Sequence, residues 1–185
     1  MTKTEARKLA KACRAAVDLH TVGHAMAGVL FTLPAWQHAD TVLAFASMPD
    51  EPDTADILRQ ALAEGKRLLL PRVLSRIEMD WVEITALSQL QPGAYGILEA
   101  PASLPAFDTA HLGDGALALI PCLAASPDGV RLGRGGGYYD RFLAHYKGRR
   151  LLVCPTAALL GDLPCEGWDV RFSPHEILTE KGILL

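Results

Sequence analysis

Short apolar runs alternate along this chain with segments of helical period, a pattern that predicts strands interleaved with helices. Residues 4–18 place Leu9, Cys13, Ala16 and Val17 on one face and Lys3, Arg7, Lys8, Lys11 and Arg14 around the rest, which predicts an amphipathic helix with solvated cations. A second helix is predicted over residues 21–33, stopped by Pro34. Residues 41–46 form a nearly continuous apolar run, as a buried strand requires. Asp53 as N-cap and Gly65 beyond the C-terminus bracket a third helix, and residues 66–70 read as the next strand, closed by Pro71. This strand–helix–strand order predicts parallel pairing. Residues 79–84 alternate apolar and polar positions and suit an edge strand. Residues 91–112, rich in Pro, Gly and Ala, have no period and read as an ordered loop. Residues 116–120 and 151–154 are further buried strands. Between them lie a glycine-rich loop and a helix running from Tyr138 to about Tyr146. The expected fold class is α/β: a single domain over residues 1–185 with a mixed or parallel central sheet covered by helices on both faces.

Composition narrows the function. A formal net charge of -3 excludes a nucleic-acid binder that relies on overall positive charge. Cys13, Cys122, Cys154 and Cys165 form no C-x-x-C pair, so reduced thiols are expected, with no disulfide framework or structural zinc. Cys122 follows a strand and a proline, but with no assignable histidine partner it reads as a buried structural thiol. His20 and His24 stand four apart without an H-E-x-x-H context or a third ligand, which argues against zinc there too. The residues after Met1 do not resemble a secretory leader, and no apolar run reaches membrane-spanning length. A cytoplasmic monomer with no membrane or nucleic-acid partner is expected.

The candidate chemistry concentrates between Arg131 and Arg141, in the run R-L-G-R-G-G-G-Y-Y-D-R. Gly133, Gly135, Gly136 and Gly137 allow a backbone to approach an anion closely, and Arg131 and Arg134 add guanidinium forks suited to phosphate oxygens. The run is neither of the common nucleotide motifs: it lacks the Gly-Lys-Ser/Thr ending of a Walker A loop, and Tyr138 occupies the last glycine of the dinucleotide pattern.

This run closely resembles the signature of 5-formyltetrahydrofolate cyclo-ligases, R-L-G-x-G-[GK]-G-Y-Y-D-R. Four further blocks agree in order and spacing: residues 47–54 (S-M-P-D-E-P-D-T), 65–73 (G-K-R-L-L-L-P-R-V), 163–169 (L-P-C-E-G-W-D) and 177–180 (I-L-T-E). The resemblance spans essentially the whole chain. It departs from the family pattern at Gly136, where many members carry lysine, at Trp168, often histidine, at Ala158, usually glutamine, and at Ala124, commonly aromatic.

The resemblance implies conversion of 5-formyltetrahydrofolate to 5,10-methenyltetrahydrofolate with ATP and Mg2+. Lys3, Arg7, Arg131, Arg134 and the glycines at 133, 135, 136 and 137 would hold the nucleotide phosphates. Arg131 would either contribute there or brace the loop. Arg134, Tyr139 and Asp140 would serve the chemistry, and Asp140 and Asp169 the magnesium. Met48, Glu51, Tyr95 and Tyr139 would contact the folate. Read without the resemblance, Lys3 and Arg7 suit a solvated helix face, Asp140 a first-turn helix acid, and the two tyrosines half-buried packing. A related enzyme for another formyl or carboxyl compound, and a non-catalytic folate- or nucleotide-binding module, share the same motifs.

Overall fold

The computed structural model of the protein describes residues 1–93 and 97–184. The first helix, α1 (Lys3–Ala15), opens on a capping box in which Thr2 accepts from the Glu5 amide while the Glu5 carboxylate accepts from the Thr2 amide. Its buried face differs from the expected one. Ala6, Ala10 and Arg14 are buried, whereas Leu9 is exposed. The alanines let the helix lie close to the sheet, and that approach decides which stripe turns inward.

Helix α2 (Leu19–Thr32) begins two residues earlier than expected, because Asp18 caps it through the His20 amide. Pro34 does not merely stop α2. It stands at the first position of a single-turn helix, α3 (Pro34–Gln37), where its missing N–H costs nothing. Strand β1 (Thr41–Leu43) is followed by α4 (Ala55–Ala63), whose first amide is satisfied by the Asp53 carboxylate at 2.8 Å. Gly65 takes φ 69° after it, as a helix C-terminus favours.

Strand β2 (Arg67–Val73) continues past Pro71, where the sequence suggested an end. Leu69 faces β1, since its carbonyl accepts from the Ala44 amide at 2.9 Å. Pro71, two residues on, turns its missing N–H to the same side, where β1 has already ended. The β2 chain then returns as β3 (Met79–Ile84), antiparallel and at the sheet edge, as its alternation predicts. The stretch read as a loop contains a two-residue hairpin, β4 (Gln91–Pro92) with β5 (Leu98–Glu99). Next come β6 (Ala116–Pro121) and the small hairpin of β7 (Ala124–Ala125) with β8 (Arg131–Leu132). Helix α5 (Tyr138–Leu143) is shorter than expected, and β9 (Arg149–Val153), β10 (Ile177–Thr179) and β11 (Gly182–Ile183) complete the sheet.

The seven strands are ordered β11-β10-β9-β6-β1-β2-β3, parallel except at the two edges. Alternate residues of the central strands feed two cores. Leu43, Leu69, Ala118, Ile120 and Leu152 pack on the side of α1 and α5, while Val42, Leu68, Leu70, Leu119 and Val153 pack on the side of α2, α3 and α4. The expected α/β class with helices on both faces is what the chain adopts. Among the described residues, no helix is long and apolar enough to cross a membrane.

Gly23 illustrates how tightly α2 seats. A Cβ there would lie 2.2 Å from the Asp53 carbonyl oxygen, whereas one on Gly28 of the same helix would meet nothing within 4 Å. Alanine gains about 1 kcal/mol of helix propensity over glycine, but overpacking against backbone costs more, about 1–3 kcal/mol. Gly23→Ala is therefore expected to lower the melting temperature, and Gly28→Ala to raise it, in parallel thermal melts.

Candidate active site

Strands β1 and β6 lie side by side, but the chain leaves β1 toward β2 and leaves β6 toward β9 on the opposite side. Their C-terminal segments diverge, and such a switch point opens a crevice in an open parallel sheet. A cavity of about 700 Å³ occupies it, lined by Met48 and Glu51 after β1, Pro121 and Cys122 at the C-terminal end of β6, and the glycine-rich loop. Pro71, Arg76 and Met79 of the β2–β3 hairpin close the far wall.

The loop leaves β8 and turns through Gly135 at φ 104° and Gly137 at φ 68°, conformations that favour glycine. Gly136 lets the Tyr138 ring pack closely on the loop: a Cβ there would lie 2.7 Å from that ring. The Tyr138 hydroxyl donates to the Ser75 carbonyl at 2.7 Å, joining the loop to the hairpin tip. Helix α5, only six residues long, carries no side-chain cap, so the cationic side chains supply most of the positive charge here.

Arg134 reaches from the loop to the segment after β1. It donates to Asp50 at 3.1 Å and to Glu51 Oε1 at 3.1 and 3.3 Å. The other Glu51 oxygen accepts from the Met48 amide at 2.9 Å, so this nearly buried carboxylate is fully oriented. Burial opposes the charge on both Arg134 and Asp50. Their mutual hydrogen bonds and the opposite charges around them together outweigh it, holding the arginine above and the aspartate below its ordinary pKa.

Arg131 braces the loop. It makes a bidentate pair with Asp140, both contacts 2.8 Å, donates to the Pro121 carbonyl at 3.2 Å, and lies 5.9 Å from the Tyr139 ring centre. Tyr139 lines the cavity in edge contact with Trp81, and burial pushes its phenol well above the ordinary range.

Lys3, Arg7 and Asp169 are not part of the cavity lining. Arg7 donates to the Gly133 carbonyl at 3.0 Å. The Lys3 ammonium contacts Asp169 at 2.8 Å and Glu166 at 2.6 Å. Burial works against charge on Asp169, and the Lys3 and Glu166 hydrogen bonds overcome it, so its pKa falls. Asp140 and Asp169 thus belong to separate ion pairs. Among the described residues, no cluster of three or more His, Cys, Asp or Glu side chains is placed to hold a metal. Tyr95 lies outside the described residues.

Sequence reasoning left four contributors out of the candidate site, among them Cys122, which it read as a buried structural thiol. Arg76, Tyr138 and Cys122 line the cavity, and Arg14 is buried beneath it rather than solvated. Arg14 follows Arg7 by seven residues and Ala10 by four, a helical spacing that groups it with the inward-facing alanines. Ala124 and Ala158, two of the departures from the family pattern, are buried in the α1-side core and do not line the cavity. Trp168 is exposed.

Crevice, glycine loop and converging guanidinium groups define an α/β protein with an anion-receptive site. The model of the 5-formyltetrahydrofolate cyclo-ligase family matches residues 2–180, and the chain belongs to that family. It is 30% identical to the 5-formyltetrahydrofolate cyclo-ligase of Mycolicibacterium smegmatis over 78% of this chain and 76% of that one. It is 31% identical to that of Escherichia coli over 80% and 84%. Its fold matches the NMR structure of Aquifex aeolicus 5,10-methenyltetrahydrofolate synthetase with a TM-score of 0.84 and 26% identity, covering 100% of this chain and 92% of that one.

Proposed function

We propose that this protein converts 5-formyltetrahydrofolate to 5,10-methenyltetrahydrofolate, consuming ATP and releasing ADP and phosphate. A formyl oxygen bonded next to nitrogen is a poor leaving group. Transfer of the γ-phosphoryl group to that oxygen turns it into phosphate, and attack by the neighbouring folate nitrogen closes the ring as phosphate departs. Such chemistry asks a protein mainly for positioning and charge neutralisation.

The observation that carries this reading is Arg134, which spans the crevice between the glycine loop and Glu51. In this assignment the loop backbone and Arg134 hold the transferring phosphoryl group, while Lys3 and Arg7 support the loop from behind. Glu51 accepts N–H groups from the pterin edge, with Met48 and Tyr139 as apolar walls. The high phenol pKa keeps Tyr139 protonated and able to donate. Magnesium fits this site as an ion that arrives on the nucleotide, since it commonly takes one or two carboxylates together with phosphates and waters. It would neutralise phosphate charge, with Asp140, at the cavity wall, as the nearest carboxylate partner and Asp169 acting through the outer ion pair.

The test is a spectrophotometric assay of the purified protein with 5-formyltetrahydrofolate, ATP and magnesium, following the methenyl product's absorbance. An absorbance rise that requires both ATP and magnesium is expected. No rise, in protein that still binds ATP, would transfer the assignment to a different formyl or carboxyl substrate.

A further inference from the structure

Arg14 brings a guanidinium into the interior at 1% exposure, and its hydrogen bonds all go to main-chain carbonyls. Nε donates to Asp50 at 2.7 Å. Nη1 donates to Leu123 at 3.0 Å and also to Cys122, and Nη2 is buried without a partner. A buried charge without a paired carboxylate is costly, and an apolar side chain of similar length would fill this space without that cost. Packing therefore does not account for it.

The three carbonyls have a distinctive placement. Asp50 belongs to the segment that leaves β1, and Cys122 and Leu123 belong to the segment that leaves β6. These are the two strands whose divergence opens the crevice. Arg14 is thus bonded to both lips at once, from the side of α1. Arg134 holds the same Asp50–Glu51 segment by its side chains, so the segment is fixed through its backbone by one arginine and through its carboxylates by another. The rigid fork of a guanidinium permits bonds in two directions, which the single ammonium of lysine does not reproduce.

We propose that Arg14 is a positioning residue that sets the width of the crevice by tying its two lips together, and so fixes Glu51 at the distance the folate requires. The part concerning folate rests on the reading of Glu51 given above. The tie itself rests only on the geometry.

Arg14→Lys, which keeps the charge, and Arg14→Met, which keeps the bulk, test this. For Arg14→Lys, the KM for 5-formyltetrahydrofolate is expected to rise about tenfold or more, the loss that a slightly misplaced binding group produces. The KM for ATP should stay within about twofold of the parent, because the glycine loop keeps its own braces at Arg7 and Arg131. Hydrogen exchange should quicken in residues 46–52 and 121–124 and remain unchanged in α2 and α4. Equal rises in both KM values, or exchange that quickens evenly across the sheet, would reduce Arg14 to a general stability role and overturn the proposal. Unchanged exchange at both lips would overturn it as well. Selective loosening of the lips in a protein whose parent forms no methenyl product would uphold the tie and reject the folate assignment instead. If Arg14→Met does not fold, Arg14→Lys alone decides.

Discussion

Replacing Arg134 by alanine is expected to lower kcat/KM for methenyl formation by about 10²–10³, the loss that follows removal of one group stabilising transition-state charge. Its position explains the size of the effect. Arg134 is the side chain that joins the glycine loop to Glu51, so its loss removes charge at the phosphoryl end and releases a nearly buried carboxylate at the other. Both Asp50 and Arg134 remain partly exposed, so the pair itself contributes about 1 kcal/mol or less to stability. Loss of that pair alone should lower the melting temperature by only about 2–4 °C, and unpairing the nearly buried Glu51 carboxylate should add to the fall. Arg134→Lys should recover a minor part of the rate, since an ammonium restores charge but not the fork. Parent-like turnover in a folded Arg134→Ala protein would remove this residue from the machinery.

Asp140→Asn is expected to reduce both turnover and stability. The Arg131 side chain is 5% exposed and depends on Asp140 for its only carboxylate partner among the described residues. Stranding a buried guanidinium costs about 3 kcal/mol or more, which for a chain of this size is about 6–12 °C in melting temperature. Activity loss in the single variant therefore mixes two causes. The double variant Arg131→Met, Asp140→Asn separates them, because it removes both charges and should regain most of the lost stability. If Asp140 also contacts magnesium, directly or through water, the double variant will still need more magnesium for half-maximal rate. An unchanged magnesium requirement would confine Asp140 to bracing the loop.

Much of the fold was legible because local period and tertiary demand coincide. The apolar runs at residues 41–46, 116–120 and 151–154 became central strands, and the alternation from Met79 to Ile84 became an edge strand with the same limits. The glycine-rich run was legible for a different reason: few other structures need so many glycines among arginines. The buried face of α1 was not legible, because the pattern weighs Leu9 above Ala6 and Ala10, whereas close helix–sheet approach selects the small residues. Arg14 was obscured by the same preference. The partners of Asp140 and Asp169 were also beyond the sequence. Arg131 is nine residues from the first and Lys3 is 166 from the second, and no spacing rule connects such pairs. Both carboxylates were visible as candidates, but their engagement with cations emerges only when the chain is folded.

The long reach of Lys3 bears on synthesis. Its helix is made before the carboxylates that hold it, which come 163 and 166 positions later. At about 5–20 residues per second, that interval is roughly 8–33 s. During it, Lys3 lacks both carboxylates and β10 has not yet been made. Termination between the glycine loop and Glu166 therefore yields a product that carries the loop but lacks the ion pairs of Lys3.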